Sequence, residues 1–268
     1  MKALPYFFRP AIELALAAAA ATALLVPAQA EGTAATVACS APADLVRLVN
    51  PLKRVAQRIA AGQPLTIVAI GSSSTAGAGA SSPAMSYPSR LEVELKALFP
   101  RADITVVNQG VNGEESRDMV ARFDHDVLLR KPDLVLWQVG SNSVLRDRPL
   151  NETGFSLRDG LKRLHDVASD VVLINPQYAP KVLNKHDVDG MVDLIHIAAK
   201  EANVDLFERF AVMRYWRLTE DIPFSTFISP DELHMNDWSY GCIAKLLAGA
   251  IQEAATRTTV TATVGSRR

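Results

Sequence analysis

An apolar run of strand length, Leu65–Gly71, ends directly in three serines. A short loop follows, and then a segment with the apolar spacing of a helix, Tyr87–Leu98. The run is rich in β-branched residues, so this order predicts a strand-loop-helix unit of a parallel sheet. Ligands of open α/β sheets bind outside the carboxyl ends of the strands. The middle serine, Ser73, is therefore a candidate nucleophile, although serine and glycine after a strand more often only form a turn.

Other uses of a glycine-containing loop need patterns that this segment lacks. A phosphate-binding loop requires Gly-Lys-Ser/Thr, but the first lysine after the strand is Lys96. The dinucleotide-binding pattern GxGxxG is absent, and no GxSxG motif surrounds Ser73. Support for catalysis must come from other parts of the chain.

Strand and helix patterns alternate along the rest of the chain, which indicates βαβ units and a mostly parallel sheet covered by helices on both faces. Predicted strands lie at 65–71, 103–108, 133–139 and 170–175, with a shorter one near Val204. Predicted helices lie at 42–62, 87–98, 114–129, 155–167, 188–202 and about 237–256. The loop 76–86 and the segment 207–230 do not fit this alternation and are predicted to be irregular.

Segment 207–230 is long for a loop inside a compact domain, and loops of this length are usually functional. We expect it to line a substrate pocket. The alternative is that its aromatic side chains simply pack on the edge of the sheet. These aromatic residues are Phe210, Tyr215, Trp216, Phe224 and Phe227.

The first 30 residues have the pattern of an export signal. A charged start is followed by a 13-residue apolar segment, 14–26, and by Ala28-Gln29-Ala30. This length fits the ~7–15 residues of a signal peptide and is below the ~18 needed to span a bilayer. We expect cleavage before Glu31, a periplasmic or secreted product, and no stable membrane span afterwards. An uncleaved anchor is the alternative. Residues 31–257 are then one domain, and 258–268 are a tail that we expect to be disordered.

Charge and cysteine content limit the function further. The 28 basic and 29 acidic residues nearly cancel, which argues against nucleic acid as a partner. Cys39 and Cys242 are the only cysteines, and in an oxidising compartment they can form a disulfide between the mature amino terminus and the last helix. Two separate buried thiols are the alternative. Without histidines at ligand spacing, the pair does not indicate a structural zinc site.

Polar and glycine-containing segments also follow the later strands. These are NQGVNG at 108–113, GSNS at 140–143, and DELH at 231–234 just before the last helix. Because parallel strands end at the same edge of a sheet, Ser73, Gly110 and Asn142 can converge there. His234 lies in a loop that can reach them.

With these segments the chain resembles the SGNH hydrolases, the GDSL esterase and lipase family. The family's first block, Gly-Asp-Ser-x-x-x-Gly, matches 71–77 and places the nucleophile at Ser73. The second and third blocks match Gly110 and Asn142, and the Asp-x-x-His block matches Asp231 and His234. The resemblance implies a three-layer α/β/α sandwich with a mostly parallel, flavodoxin-like five-stranded sheet. It also implies an ester hydrolase that needs no metal or cofactor.

The sequence departs from the family at two positions. Ser72 replaces the usual aspartate, and Ser143 stands where an aspartate often follows the asparagine. Neither position is a nucleophile, base or oxyanion donor, and Thr75 and Gly77 keep the register at Ser73. Three aspartates begin strands and therefore lie at the opposite edge of the sheet: Asp103, Asp133 and Asp170.

The residue types fit the chemistry of ester cleavage. A serine hydroxyl becomes nucleophilic when a base such as the His234 imidazole takes its proton, and Asp231 would hold that imidazole in the required tautomer. The backbone N–H groups of Ser73 and Gly110 and the amide of Asn142 would then stabilise the oxyanion. The remaining histidines are expected at ordinary surface or interhelical positions: His125, His165, His186 and His196.

We interpret the chain as an exported serine esterase that acts on small-molecule or saccharide esters, such as acetyl groups on sugars. The fold alone does not select the substrate. One alternative is acyl transfer to a sugar hydroxyl instead of water. Another is a binding module that has kept the fold and lost catalysis, whose mark would be a broken triad.

Overall fold

The computed structural model describes residues 37–167 and 169–265, and within them five parallel strands form one sheet. The strands are β1 (Leu65–Gly71), β2 (Ile104–Gly110), β3 (Leu134–Gln138), β4 (Asp170–Ile174) and β5 (Asp205–Phe207). Their spatial order, β2-β1-β3-β4-β5, is the flavodoxin-like order. The predicted fold class is confirmed. The expected export signal, 1–30, lies outside the described residues.

Helices lie on both faces of the sheet, because the chain crosses from β1 to β2 in one direction and from β3 to β5 in the other. The described helices are α1 (Ala43–Val46), α2 (Lys53–Ala60), α3 (Ser73–Ala76), α4 (Tyr87–Leu98), α5 (Ser116–Ala121), α6 (Phe123–Asp126), α7 (Ser141–Leu145), α8 (Leu150–His165), α9 (Pro180–Leu183), α10 (Val188–Ala202), α11 (Arg209–Leu218), α12 (Phe224–Phe227) and α13 (Asp237–Gly265). Short 3-10 turns occupy Pro83–Met85 and Leu128–Arg130. Helix α13 packs against α4 and α2, and α8 packs against α10 and α5.

The central strands are apolar along their length because both faces are covered. Ile67, Val68 and Ile70 of β1 have no exposed surface. Trp137 of β3 is equally buried and meets the Phe123 ring edge to face, with 5.0 Å between the ring centroids. The core therefore fixes β1 rigidly, and β1 is the strand that carries the serine turn.

The predicted helix 42–62 is wrong in its continuity, because α1 ends at Val46 and α2 begins at Lys53. Pro51 lacks an N–H group and disfavours helical backbone at the residue before it. The helix therefore restarts only after this proline. At its new start, the N–H groups of Arg54 and Val55 donate to Asp170 Oδ2 at 2.9 and 3.0 Å.

The predicted helix 114–129 is also divided, into α5, α6 and a 3-10 turn. Helical geometry is interrupted at Arg122, where φ is -106° and ψ is 6°. The Arg122 guanidinium donates to the Gln109 carbonyl at the end of β2, at 2.8 Å, and pairs with Glu114 and Asp126. These contacts stabilise the bend at Arg122. The spacing of apolar residues does not predict them, because they are made by a polar side chain and one of them reaches the end of β2.

The expectation that segment 207–230 is irregular is wrong, because it contains α11 and α12. Phe210, Trp216 and Phe227 are buried, and the Trp216 ring meets the rings of Phe227 and Trp238 edge to face. Most of the segment thus packs its aromatic side chains into the core, which is closer to the alternative, packing on the edge of the sheet, than to a pocket wall. Phe224, by contrast, is only partly buried and lines a cavity.

The start of the described chain is joined to the first turns of α13 by a disulfide between Cys39 and Cys242, whose Cα atoms are 5.4 Å apart. Helix α13 continues to Gly265, past the expected end near residue 256. Extending an existing helix is easier than starting one, so a run with little core pattern can continue it. The last three residues, 266–268, lie outside the described part. None of the helices described is both long and apolar enough to cross a membrane.

Candidate active site

The turn between β1 and α3 presents Ser73 at the carboxyl edge of the sheet. Gly71 pairs with Gly110 of β2, and a Cβ atom on Gly71 would lie 2.2 Å from Thr75 Oγ1 and 2.9 Å from the Gln138 side chain. Only glycine lets the strand pass so close beneath the turn. Ser73 is the first residue of α3, where the backbone N–H has no partner within the helix.

The three serines of this turn make different contacts. Ser72 Oγ donates to Gln138 Oε1 at 3.0 Å and Ser74 Oγ to Gln177 Oε1 at 3.3 Å, and both serines are buried. Ser73 Oγ instead lies 2.8 Å from His234 Nε2. Ser73 is therefore the serine of this turn whose hydroxyl meets an imidazole.

A carboxylate faces the other nitrogen of this imidazole. His234 Nδ1 lies 2.5 Å from Asp231 Oδ2. Asp231 Oδ1 accepts the N–H groups of Leu233 and His234 and the Ser229 hydroxyl, each at 2.9 Å. Partial burial acts to raise the pKa of the Asp231 carboxyl, but these hydrogen bonds, led by the one from the His234 side chain, hold that pKa well below its usual value. Asp231 is therefore ionised at neutral pH and favours a proton on Nδ1, which leaves Nε2 as an acceptor.

The tight turn that carries Asp231 and His234 is held in place by backbone contacts. Ser229 N–H donates to the His234 carbonyl at 2.8 Å, and Glu232 adopts φ of 60°. Gly79, at φ +87°, lies against the turn, and a Cβ atom there would be 2.8 Å from His234 Cβ. The side chains of His234 and Asp231 are 16% and 44% exposed, so solvent reaches the site.

Asn142 and Gly110, the two other predicted site residues, lie at the same edge of the sheet. Asn142 is in the first turn of α7, where its Nδ2 donates to the Glu114 carbonyl at 2.8 Å and keeps a second amide hydrogen. The Gly110 N–H donates to Asn108 Oδ1 at 2.9 Å. A Cβ atom on Gly110 would lie 2.1 Å from the Ala76 nitrogen. Gly110 thus lets β2 pack tightly against α3, and its N–H already has a partner.

Gly113, in the loop after β2, also lies near the site, although the sequence motifs single out Gly110 instead. Its φ is +81°, and it adjoins Glu114, whose carbonyl binds Asn142. Among the described residues, the Gly113 N–H makes no hydrogen bond. The Asn-Gly dipeptide at 112–113 is the signal that marks such a turn, because this pair tolerates positive φ.

Acidic side chains at the opposite edge of the sheet have structural contacts. Asp133 Oδ1 accepts from Arg54 at 2.9 Å and from Arg58 at 2.6 Å, which ties α2 to the start of β3. Asp170 caps the same helix. The four remaining histidines are exposed on the surface, as expected: His125, His165, His186 and His196.

A cavity of about 570 Å³ lies beside the turn at 231–234. Phe224 and Ile228 form part of its apolar wall, and Glu232 and Asn236 contribute polar atoms. Over the described part of the chain, His, Cys, Asp and Glu side chains form no group of three or more that could hold a metal ion.

Comparison with known sequences identifies relatives of this chain. The sequence model of the non-GDSL lipase-like family matches residues 38–257. An acetylxylan esterase from Geobacillus stearothermophilus is 34% identical over 94 residues, which are 31% of this chain and 43% of that enzyme. The match therefore covers less than half the length of this curated relative.

Solved structures share the fold. A two-domain esterase active on acetylated mannans has a TM-score of 0.67 at 22% identity, over 79% of this chain and 56% of that one. A catalytic mutant of the Geobacillus stearothermophilus acetylxylan esterase has a TM-score of 0.61 at 22% identity, over 70% of this chain and 94% of that one. The predicted resemblance to SGNH-type esterases is confirmed. Since the sequence model of the family matches most of the chain, from residue 38 to residue 257, this protein belongs to the non-GDSL lipase-like family.

Proposed function

We propose that this protein is a serine esterase that cleaves carboxylic esters through an acyl-enzyme on Ser73. The observation that carries the proposal is the chain of contacts from Ser73 Oγ to His234 Nε2 and from His234 Nδ1 to Asp231. A hydroxyl next to an imidazole that a carboxylate orients is the arrangement that activates serine near neutral pH. A binding module that had lost catalysis would have no need of it.

The reaction follows from this geometry. Ser73 Oγ attacks the ester carbonyl carbon while His234 Nε2 takes its proton, and Asp231 stabilises the imidazolium that forms. Collapse of the tetrahedral intermediate breaks the bond to the alcohol, which leaves with the proton from His234. Water then gives a proton to the same imidazole as it attacks the acyl group, which releases the acid and the free serine.

Three donors are proposed for the oxyanion. The Ser73 N–H at the start of α3 is the first, and the unused amide hydrogen of Asn142 is the second. Gly110, which the family resemblance implies as the third, would first have to release its hydrogen bond to Asn108. We therefore propose Gly113, whose loop Asn142 already contacts through Glu114, as the backbone donor. Such donors typically contribute about 2.7–4 kcal/mol each to transition-state stabilisation.

Acetyl esters on saccharides are the proposed substrates. The names of two similar proteins describe action on acetylated xylan and acetylated mannans. In catalytic mutants of that xylan esterase a serine, an aspartate or a histidine is replaced by alanine, and the last two are three positions apart, as Asp231 and His234 are here. The cavity beside the turn combines the Phe224 ring with polar groups, which suits a sugar ring.

Hydrolysis is favoured over acyl transfer to a sugar hydroxyl. An acyltransferase must keep water from its acyl-enzyme, but the Asp231 side chain is 44% exposed beside the imidazole. Water therefore reaches the carboxylate beside the base, and the His234 side chain itself is 16% exposed.

Export remains part of the proposal. The pattern at 1–30 and the disulfide between Cys39 and Cys242 both fit an oxidising compartment outside the cytoplasm. Amino-terminal analysis of the exported protein should find Glu31 first, and an intact Met1 would favour an uncleaved anchor.

Replacement of Ser73 tests the function directly. Ser73→Ala should abolish release of acetate from p-nitrophenyl acetate and from acetylated xylan, with the folded state unchanged by circular dichroism. Ser89→Ala on α4 is the matched control and should keep full activity, because the Ser89 hydroxyl hydrogen-bonds, within the described residues, with Pro83 and Ser86 and with none of the proposed catalytic groups. Retained activity in Ser73→Ala would move the nucleophile elsewhere.

A further inference from the structure

One buried amide joins the three segments that carry the proposed catalytic groups. Gln177, after β4, is 1% exposed. Its Oε1 accepts from Ser74 Oγ at 3.3 Å and from Ser141 Oγ at 2.9 Å, and its Nε2 donates to the Leu233 carbonyl at 3.2 Å. Each partner is the chain neighbour of a proposed catalytic group: Ser74 of Ser73, Ser141 of Asn142, and Leu233 of His234.

Arg209 determines which way this amide points. Arg209 has no exposed surface, and its Nη2 donates to Gln177 Oε1 at 3.1 Å. A guanidinium group only donates hydrogen bonds, so the amide atom that faces it must be oxygen. The amide nitrogen must then face the Leu233 carbonyl. Arg209 is itself held because its Nε donates to the Asn175 carbonyl at 3.0 Å.

Arg209 remains a cation in this setting. Burial lowers the pKa of Arg209 to about 10, which is still above neutral pH. Among its described contacts the guanidinium meets amide and carbonyl oxygens and no carboxylate, and its Nη1 is buried without a hydrogen-bond partner. A buried charge without a counter-ion destabilises the fold. A role of Arg209 in orienting Gln177 would explain why the protein keeps this buried guanidinium.

We propose that Gln177 is a positioning residue of this site, oriented by Arg209, which sets the separation of the Ser73 hydroxyl and the His234 imidazole. The inference rests on the proposed esterase function. Gln177 touches no reacting atom and acts through the segments that it joins. A misplacement of about 1 Å between catalytic groups can lower a rate about 100-fold.

The substitution Gln177→Glu tests this role with little change of shape. The carboxylate can pair with Arg209 and accept from Ser141, but it cannot donate to the Leu233 carbonyl, which it would repel. We expect kcat to fall roughly 10- to 100-fold with KM nearly unchanged. The rate at which a serine-directed phosphonate inactivates the enzyme should fall in parallel, because it reports how Ser73 and His234 are aligned.

A second substitution should partly reverse this loss. In Gln177→Glu combined with Arg209→Met, the buried carboxyl has no cation beside it, and burial then favours its neutral form. A neutral carboxylic acid has one O–H donor in place of the two N–H donors of the amide, and that one donor is enough to restore the hydrogen bond to the Leu233 carbonyl. The double variant should therefore have a higher kcat than Gln177→Glu alone. If the two substitutions caused independent defects, their losses in kcat would instead multiply, and the double variant would be slower than Gln177→Glu alone.

Thr153→Val, a buried polar change in α8, a helix that carries none of the proposed catalytic groups, is the control and should leave kcat and the phosphonate rate unchanged. Wild-type kcat and phosphonate reactivity in Gln177→Glu would overturn the inference. If that variant does not fold, the double variant decides, because a loss beyond about 100-fold in a folded double variant contradicts the account. Activity in Ser73→Ala would instead refute the proposed function, so the two failures are distinguishable.

Discussion

The two carboxylate oxygens of Asp231 have different partners. Oδ1 accepts three hydrogen bonds, from the Leu233 and His234 N–H groups and the Ser229 hydroxyl, while Oδ2 faces His234 Nδ1. An asparagine at this position would keep its oxygen where the three donors are. Its NH₂ group would then face Nδ1, and the imidazole would carry its proton on Nε2. In that tautomer it cannot accept the proton of Ser73.

We therefore predict that Asp231→Asn is more damaging than Asp231→Ala. The asparagine variant should lose up to about 10⁴-fold in kcat at neutral pH, because the wrong tautomer is enforced. The alanine variant should lose less, since its imidazole is free to adopt either tautomer. Steady-state rates with p-nitrophenyl acetate give the order, and an asparagine variant as active as the alanine variant would contradict it.

Asn142→Ala separates a transition-state donor from a substrate-binding group. Loss of the amide should lower kcat by about 10²–10³ with little change in KM, because the hydrogen bond forms fully only to the oxyanion. The two constants are measured on the same short ester. An effect confined to KM would assign Asn142 to ground-state binding instead.

A spacing in the chain predicts which single residues can meet. An Asp-x-x-His pair and a serine turn are visible in the sequence, and the structure brings the His234 imidazole within hydrogen-bonding distance of both Ser73 and Asp231. Gln177 and Arg209 follow no motif, and their role depends on contacts with Ser74, Ser141 and Leu233, which are distant in sequence. No local pattern records such contacts.

At the scale of elements, the stability of the fold depends on the protonation of Asp170, the partly buried carboxyl that accepts the first N–H groups of α2. Burial raises the pKa of this carboxyl to about 6, although the N–H groups of Val55 and Arg54 act to lower it. The folded state therefore binds this proton more tightly than the unfolded chain does. The resulting contribution to stability is fully present below about pH 4 and is lost as the pH rises through about 6.

Asp170→Asn should remove this pH dependence. The amide oxygen can still accept the two N–H groups, but it does not ionise. Between pH 4 and 7, the free energy of unfolding of the wild type should fall relative to that of the variant, by roughly 3 kcal/mol at most. Urea denaturation across this range measures the difference, and a difference that stays constant with pH would contradict the account.

Elements with a complete local pattern were predicted well. Leu65–Gly71, Tyr87–Leu98 and Val188–Ala202 were expected with the bounds that the structure shows. Failures occurred where a distant contact changes the backbone, as at Arg122, whose guanidinium reaches the end of β2. In segment 207–230, aromatic residues interpreted as a pocket wall are mainly core residues, since composition does not tell which face of a helix is buried.

For the whole molecule, the disulfide closes a loop across 203 residues. In the chain-entropy account, such a loop restricts the unfolded chain enough to stabilise the fold by up to about 5 kcal/mol. Cys39→Ala combined with Cys242→Ala should therefore lower the free energy of unfolding by several kcal/mol, and reduction of the wild type should act likewise. Activity below the melting temperature should persist, because the bond is not among the contacts of Ser73, Asp231 or His234. An unchanged midpoint of denaturation would contradict this.

The strand order and the edge at which the site lies followed from the family resemblance and from the rule that parallel strands end together. The hydrogen bonds around Gln177 did not follow from these rules, because they form only when the segments after β1, β3, β4 and β5 pack together with the turn at 231–234.

The most direct test of the central claim is to trap the acyl-enzyme. The protein is mixed with p-nitrophenyl acetate, quenched in acid within the first turnover, digested and analysed by mass spectrometry. We predict one acetyl group on the peptide that contains Ser73, at the Ser73 side chain, and none after Ser73→Ala. Turnover of the ester with acetyl on another residue, or with no acylated peptide and an active Ser73→Ala variant, would contradict the account.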